Sequence, residues 1–341
     1  MNMKRFLLTT LVLSSILSAY SNEGSIIDKT FTQPKDTVTL RTLLQATPPM
    51  QEMVFKSTKD TTLKVYYSKP ADAKPGKKYP AIIWIHGGGW TSGTANSFFA
   101  HAKYFAQRGA VGFSIEYRLI EFGGTGLAEC LSDCKSAIRF IRAHAKELNI
   151  DPDKIIVLGD SAGGHLAGAL GTMDGFDDAA DNLSISAKPN AMVLYNPCVD
   201  MTVYPLVKNV LSDKIQNIKA LDSASIKPED WQLARTFSPI SYVKPGLPPC
   251  LILHGLADKV IPCEQSVRFT DAMKKAGNNC SVLLLPNTRH AFVCTNYTAT
   301  EEQVVSAITE GDKFLTRLGY LKGEPTLRVS DVPSWIPKGK K

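Results

Sequence analysis

The sequence predicts an α/β protein, with a mostly parallel central sheet, helices on both faces and a small insertion over one sheet edge. Two observations predict it. Short apolar, branched runs at 81–85, 155–158, 191–195, 249–253 and 281–285 alternate with segments of helical period, and strands that alternate with helices pair in parallel through crossovers. One of those runs also passes through Gly159-Asp160-Ser161-Ala162-Gly163 into a stretch of small, helix-compatible residues, giving a strand, a sharp turn and a helix in order. A chain of 341 residues with 44% hydrophobic composition can bury a large core, and α/β folds of this size commonly form one domain.

Taken in order, residues 1–21 combine Lys4-Arg5, an apolar run from Phe6 to Leu17 and small residues at Ala19 and Ser21. This pattern predicts an export signal peptide, and the run is short for a membrane span, so no stable membrane anchor is expected. Residues 22–50, polar and containing Pro34, Pro48 and Pro49, read as an N-terminal arm. Alternation at 53–56 and 63–67 predicts a strand pair that forms an antiparallel edge. The loop 70–80 leads to the strand at 81–85, residues 97–108 read as a helix and 110–118 as a strand. Apolar residues at helical spacing over 127–148 predict a helix, ended by Asp151-Pro152-Asp153 before the strand that carries Ser161. Residues 201–238 lack a sheet pattern and contain Trp231 and Phe237, so they read as the insertion. A helix at 264–276, the last strand and an amphipathic helix at 303–318 complete a domain over 51–320, and 321–341 reads as a mobile tail.

The chemistry is concentrated around two glycine motifs. A serine with glycine two residues before and two after can occupy a turn in which any Cβ at Gly159 or Gly163 would collide with a neighbouring element. The following helix aims its amide groups and positive dipole end at the hydroxyl. Upstream, the strand at 81–85 runs directly into His86-Gly87-Gly88-Gly89-Trp90. Bare backbone N–H groups in such a loop can complete an oxyanion hole together with the amide after the serine.

On these two motifs the chain resembles the α/β-hydrolase esterases with a His-Gly-Gly-Gly loop, close to hormone-sensitive-lipase-like enzymes, over about residues 50–320. With Ser161-Ala162-Gly163-Gly164-His165-Leu166-Ala167 it looks most like the secreted acetyl-xylan and feruloyl esterases. The resemblance implies an α/β-hydrolase fold, oxyanion donors at Gly88, Gly89 and Ala162, and no cofactor. It also implies a nucleophile, acid and base in the chain order Ser161, Asp258, His290. Neutral imidazole is suited to take the serine proton near neutral pH, and His290 is the histidine that follows the last sheet strand. Asp258, at the end of the strand 249–253 and its loop, would fix the imidazole tautomer. Asp200 is its rival because it too follows a strand end, but Val260-Ile261-Pro262 fits the return of an acid loop into a helix.

His86 is expected to order its own loop, His165 to face the scaffold, and His101, His144 and His254 to be packed or solvent-facing. Glu116 and Arg118 are expected either to brace the glycine loop or to form a surface ion pair, and Asp160 either to bond nearby backbone or tune the pocket, or to be a spectator. The implied activity is hydrolysis of short-chain acyl esters, on a small molecule or polysaccharide. A prolyl-oligopeptidase-like peptidase or an arylformamidase on the same triad is the rival chemistry, and a non-catalytic binding member of the fold the rival class.

Net charge is +7, or +5 once residues 1–21 are removed with Lys4 and Arg5, and the basic residues are dispersed except in the tail Lys338-Gly339-Lys340-Lys341. No nucleic-acid partner follows from that pattern, and nothing in it sets an oligomeric state. Seven cysteines, with no C-x-x-C pair and scattered histidines, predict no metal site. Cys263 and Cys294 lie five residues after Asp258 and four after His290, so converging loops could join them in a disulfide, with two buried free thiols as the alternative.

Overall fold

The structure is a computed structural model, and it describes residues 37–46, 49–121, 125–203, 206–211, 225–294 and 297–330. Eight strands form one sheet: β1 (Gln51–Ser57), β2 (Thr62–Ser68), β3 (Tyr79–Ile85), β4 (Val111–Ile115), β5 (Ile150–Asp160), β6 (Ala191–Tyr195), β7 (Cys250–Gly255) and β8 (Cys280–Leu285). Their spatial order is β1-β2-β4-β3-β5-β6-β7-β8. β2 runs antiparallel to both β1 and β4, and every other pairing is parallel.

The unbroken apolar runs follow from burial on both faces. Ile83, Ile85, Val157 and Leu194 point into one core, while Ile82, Trp84, Ile156, Leu158 and Tyr195 point into the other. The first core is covered by α3 (Leu127–Ala143), α5 (Ala162–Thr172) and α8 (Glu264–Lys275), the second by α2 (Phe99–Gln107) and α9 (Glu301–Arg317). Parallel β3, β5, β6 and β7 all end on the same side, so the loops that leave their C-terminal ends meet there.

The structure differs from the sequence reading in several places. The helix expected over 127–148 is interrupted at His144, whose Nδ1–H donates to the Phe140 carbonyl at 2.8 Å, and a short α4 (Ala145–Leu148) follows. The strand expected over 110–118 is confined to Val111–Ile115. The arm contains a helix, α1 (Leu40–Gln45), with Leu40 and Leu43 buried and Thr39 and Thr42 capping each other. Val38 pairs with Leu327, and Leu321 and Leu327 are buried, so the end of the arm and residues 321–330 pack together. One helical turn with two buried leucines is too short to show a period. The expected signal at 1–21 and most of the final segment, 331–341, lie outside the described residues. In the insertion the described parts include α6 (Val207–Val210) and α7 (Pro228–Thr236); residues 204–205 and 212–224 lie outside them.

Candidate active site

The nucleophile turn is built as the glycines require. A Cβ on Gly159 would lie 2.1 Å from the Gly163 carbonyl oxygen, and one on Gly163 would lie 2.1 Å from that of Ile85, well inside any real contact. Strand and helix can therefore cross at backbone distance. Ser161 itself sits at φ 54°, ψ −116°, a conformation that costs an L-residue about 1–3 kcal/mol. It is held by its N–H, which donates to the Tyr195 carbonyl at 3.0 Å, and by its own carbonyl, which accepts from His165 N–H at 2.9 Å.

The loops after β7 and β8 converge on this turn. Ser161 Oγ–H donates to His290 Nε2 at 2.8 Å, and His290 Nδ1–H donates to Asp258 Oδ2 at 2.6 Å. Asp258 Oδ1 accepts from the amides of Val260 and Ile261 at 2.8 and 2.9 Å. Burial by itself would raise the Asp258 pKa. The hydrogen bonds from His254 and His290, the charge on His290 and the Ile261 amide outweigh it, holding the carboxyl well below the usual carboxylate range. It is therefore an anion, able to orient the imidazole and stabilise it when protonated. The rival Asp200 is engaged elsewhere: Arg268 reaches its Oδ2 at 3.0 Å, and Thr202 donates twice to Oδ1.

The His-Gly-Gly-Gly loop lies against the same turn. A Cβ on Gly87 would fall 3.2 Å from Ser161 Cβ, so the loop passes directly beside the nucleophile. The Gly88 carbonyl accepts from the amides of Thr91 and Ser92 and from Ser92 Oγ at 2.9 Å. In a trans peptide this turns the Gly89 N–H away from Ser92. Among the described residues, the amides of Gly88, Gly89 and Ala162 have no acceptor. The Ala162 amide lies next to Ser161 at the positive end of α5, and the glycine loop that carries Gly88 and Gly89 passes beside the same residue.

Tyr117, rather than Glu116 or Arg118, braces this loop: its hydroxyl donates to the His86 carbonyl at 2.8 Å and its ring stacks on His86 at 4.4 Å. Glu116 instead accepts from Lys64 N–H and the Tyr66 hydroxyl, and Arg118 grips Asp133 with two nitrogens. The reason is the early end of β4, which leaves Glu116 alongside β2 and Arg118 over α3. His86 bonds its own loop through Gly87 O at 2.8 Å, and His165 faces the scaffold, accepting from Trp90 Nε1 and donating to Phe237 O. Burial lowers the pKa of both histidines to about 4, against the opposing pull of their carbonyl partners.

Of the two readings offered for Cys263 and Cys294, the disulfide is absent and the free thiols hold: all seven cysteines are free. Cys263 lies beside Glu264, whereas Cys294 Sγ donates to Asp160 Oδ2 at 3.2 Å. The two loops do converge, but His290 and Asp258 meet on one side of the histidine loop and Cys294 turns inward on the other. His254 is packed, one of the two readings offered for it, but sequence reasoning missed its contact with Asp258 and missed Asn196 altogether. The available signal was a lone polar side chain at the end of a fully apolar strand, which must find a partner when buried. Among the described residues no group of three or more His, Cys, Asp or Glu side chains is arranged to hold a metal ion.

The family model BD-FAE matches residues 63–273, which includes both glycine motifs and Asp258. The chain belongs to the BD-FAE family of α/β-hydrolases. Thermogutta terrifontis esterase 2 in its apo form is 33% identical, with a TM-score of 0.69, over 82% of this BD-FAE chain and 98% of that one. Esterase LipQ of Mycobacterium tuberculosis is 29% identical over 77% of this chain and 62% of its own length. An acetylxylan esterase of Xylanibacter ruminicola is 28% identical over 62% of this chain and 41% of its own length. The BD-FAE chain thus spans less than two thirds of either of these last two relatives.

Proposed function

We infer that this BD-FAE protein is a serine carboxylesterase, and that its substrates are short-chain acyl esters, acetyl or feruloyl groups on carbohydrate being the favoured class. The observation that carries the reading is the continuous Ser161–His290–Asp258 hydrogen-bond chain, with the glycine loop passing beside Ser161. His290 takes the Ser161 proton as Oγ attacks the ester carbonyl, and the oxyanion that forms is met by N–H groups of Gly88, Gly89 and Ala162. The imidazolium, stabilised by Asp258, returns the proton to the departing alcohol. Water then repeats the sequence on the acyl-enzyme and releases the acid.

The acyl side is supported by the propionate-bound and butyrate-bound structures of the Thermogutta terrifontis enzyme, and the carbohydrate side by the acetylxylan esterase relative. The reading of residues 201–238 as an insertion over the catalytic edge supports a role for them in the acyl or leaving-group pocket. Export to the periplasm or outside the cell follows from residues 1–21, and a mature protein beginning at residue 22 is its test.

An acyl-length series of p-nitrophenyl esters from acetate to octanoate, followed by acetylated xylan and methyl ferulate, tests the activity. Fastest turnover on acetate to butyrate and acetate release from xylan are the expected results. Faster turnover of a peptide anilide or a formyl amide would replace this function with the peptidase or formamidase alternative. Inertness to all of them and to paraoxon would return the chain to the binding class.

A further inference from the structure

Among the non-glycine residues with left-handed backbone, three surround the Ser161–His290 contact through one set of bonds: Ser161 at φ 54°, Asn196 at φ 36° and Ala291 at φ 57°. They belong to different segments: the nucleophile turn, the end of β6 and the histidine loop. Such conformations persist only where the surroundings over-determine them, and here the three are joined. Asn196 N–H donates to the Leu253 carbonyl at 2.8 Å, and Ala291 N–H donates to Asn196 Oδ1 at 3.2 Å. Asn196 Nδ2 in turn donates to Asp160 Oδ1 at 3.0 Å, and Cys294 Sγ–H donates to the other oxygen of the same carboxylate at 3.2 Å.

Asp160 therefore reaches the histidine loop by two routes, directly at Cys294 and through Asn196 at Ala291. It is covalently next to Ser161, and Ala291 is next to His290, so these bonds enclose the Ser161–His290 contact. Asp160 is 2% exposed and Asn196 not at all, which removes competing water. We propose that Asp160, Asn196 and Cys294 form a positioning clamp, with Asp160 as its hub, that holds His290 at proton-transfer distance from Ser161. The clamp rests on the reading of Ser161 and His290 as nucleophile and base.

Both Asp160 oxygens face donors, the arrangement an ionised carboxylate accepts. Burial, helped by the Asp258 charge, leaves its pKa raised, and the charge on His290 and the bonds from Asn196 and Cys294 limit that rise. Burial and the Asp160 charge together push the Cys294 thiol well up, so it stays a neutral donor. The groups that face His290 are Asp258 from the acid loop and Asp160 and Ser161 from the nucleophile turn. Those that face Asp160 are Asn196, Cys294 and the Gly87 backbone, with the Tyr117 hydroxyl near enough to feel its charge. With a donor on each oxygen, Asp160 is thus a second carboxylate near the imidazole.

The test is kcat and KM on p-nitrophenyl acetate as a function of pH, with thermal unfolding and the rate of labelling by paraoxon. The proteins compared are wild type, Asp160→Asn, Asn196→Ala, the double variant, Cys294→Ala and Cys294→Ser. A misplacement of about 1 Å costs roughly 10²-fold, so Asp160→Asn and Asn196→Ala should each lower kcat by about that factor, with KM changed less than about threefold. The double variant should be no worse than the poorer single one, because both cut the same link. Cys294→Ser, which keeps a donor, should recover what Cys294→Ala loses. Asp160→Asn should also move the acidic limb of kcat/KM to lower pH, since losing an anion disfavours the imidazolium.

Folded single variants with wild-type kcat would overturn the clamp, as would losses that multiply in the double variant or that follow the unfolded fraction. Should Asp160→Asn fail to fold, the Cys294→Ala and Cys294→Ser pair decides by the same criterion. A wild-type protein inert to both ester and paraoxon overturns the esterase reading and the clamp with it. An active wild type with unaffected variants overturns the clamp alone.

Discussion

His254 Nε2 lies 3.3 Å from Asp258 Oδ2, the same oxygen that His290 Nδ1 reaches at 2.6 Å. Nε2 also contacts the Ile261 carbonyl at 3.0 Å, and Nδ1 contacts Ser266 Oγ at 2.7 Å. Both Nε2 neighbours are acceptors, so that nitrogen carries the proton and Nδ1 accepts from Ser266. A fully buried histidine thus fixes the acid of the triad from behind. A hydrogen bond to a charged group contributes about 1.5–3 kcal/mol. His254→Leu should therefore lower kcat by roughly tenfold to a hundredfold and also lower Tm, and Ser266→Ala should show the same effects more weakly. Steady-state kinetics with a thermal melt decides; a folded His254→Leu protein of unchanged kcat contradicts the assignment.

Substitutions in the triad should separate its members by role. Ser161→Ala and His290→Ala are each expected to lower kcat by about 10⁵-fold or more, with Asp258→Asn similar or milder. Asp200→Asn should leave kcat near wild type, because that carboxylate pairs with Arg268 rather than His290. Turnover of p-nitrophenyl acetate by the four purified variants is the measurement, and a severe effect at Asp200 alone would transfer the acid role.

The glycine loop has little tolerance for a side chain. Gly88 sits at φ +111°, and a Cβ there would meet the Ser92 carbonyl oxygen at 2.2 Å, so Gly88→Val must move the loop. Losing one oxyanion donor lowers rate by about 10²–10³, and that is the expected fall in kcat. Stability should fall less than turnover, since Tyr117 and Trp90 still anchor the flanks. Retained kcat in a folded Gly88→Val variant would rule this placement out.

Stability should depend on three buried histidines. Burial lowers the pKa of His86, His101 and His165 to about 4, with a carbonyl bond opposing it in each. Unfolded, each returns to about 6.5. Between those values the unfolded chain binds more protons, so stability is complete above pH 6.5 and is lost as pH falls toward 4. The loss is about 1.4 kcal/mol per pH unit for each histidine. Denaturant melts from pH 8 to pH 4 should be flat at first and then fall steeply; a curve flat down to pH 5 would show that these side chains are not buried neutral.

The thiols give a separate check on the fold. With all seven cysteines free, thiol titration in denaturant without reductant should find seven, and reductant should leave Tm unchanged. Peptide mapping that recovers Cys263 linked to Cys294 would restore the bridge left open by the sequence and displace Cys294 from Asp160.

Local chemistry alone determined much of this protein. Apolar runs bounded by turn residues mark the parallel strands because a strand buried on both faces must be apolar throughout. Glycine spacing marks the nucleophile turn because Gly159 and Gly163 have no room for a Cβ. Chain order, taken with the family resemblance, singled out Ser161, Asp258 and His290, and in the structure His290 bonds both of the others. Only the tertiary structure decided how polar side chains are partnered. Tyr117 in place of Glu116 and Arg118 as the brace, Asn196 between Asp160 and Ala291, and Cys294 turned from Cys263 onto Asp160 involve partners far apart in sequence, while His254 meets Asp258, four residues on, only because the turn between them folds back. Such pairings depend on side-chain direction across the sheet edge to within about an ångström. A pattern of period 2 or 3.6 reports which face a residue takes, and that face is shared by many possible partners.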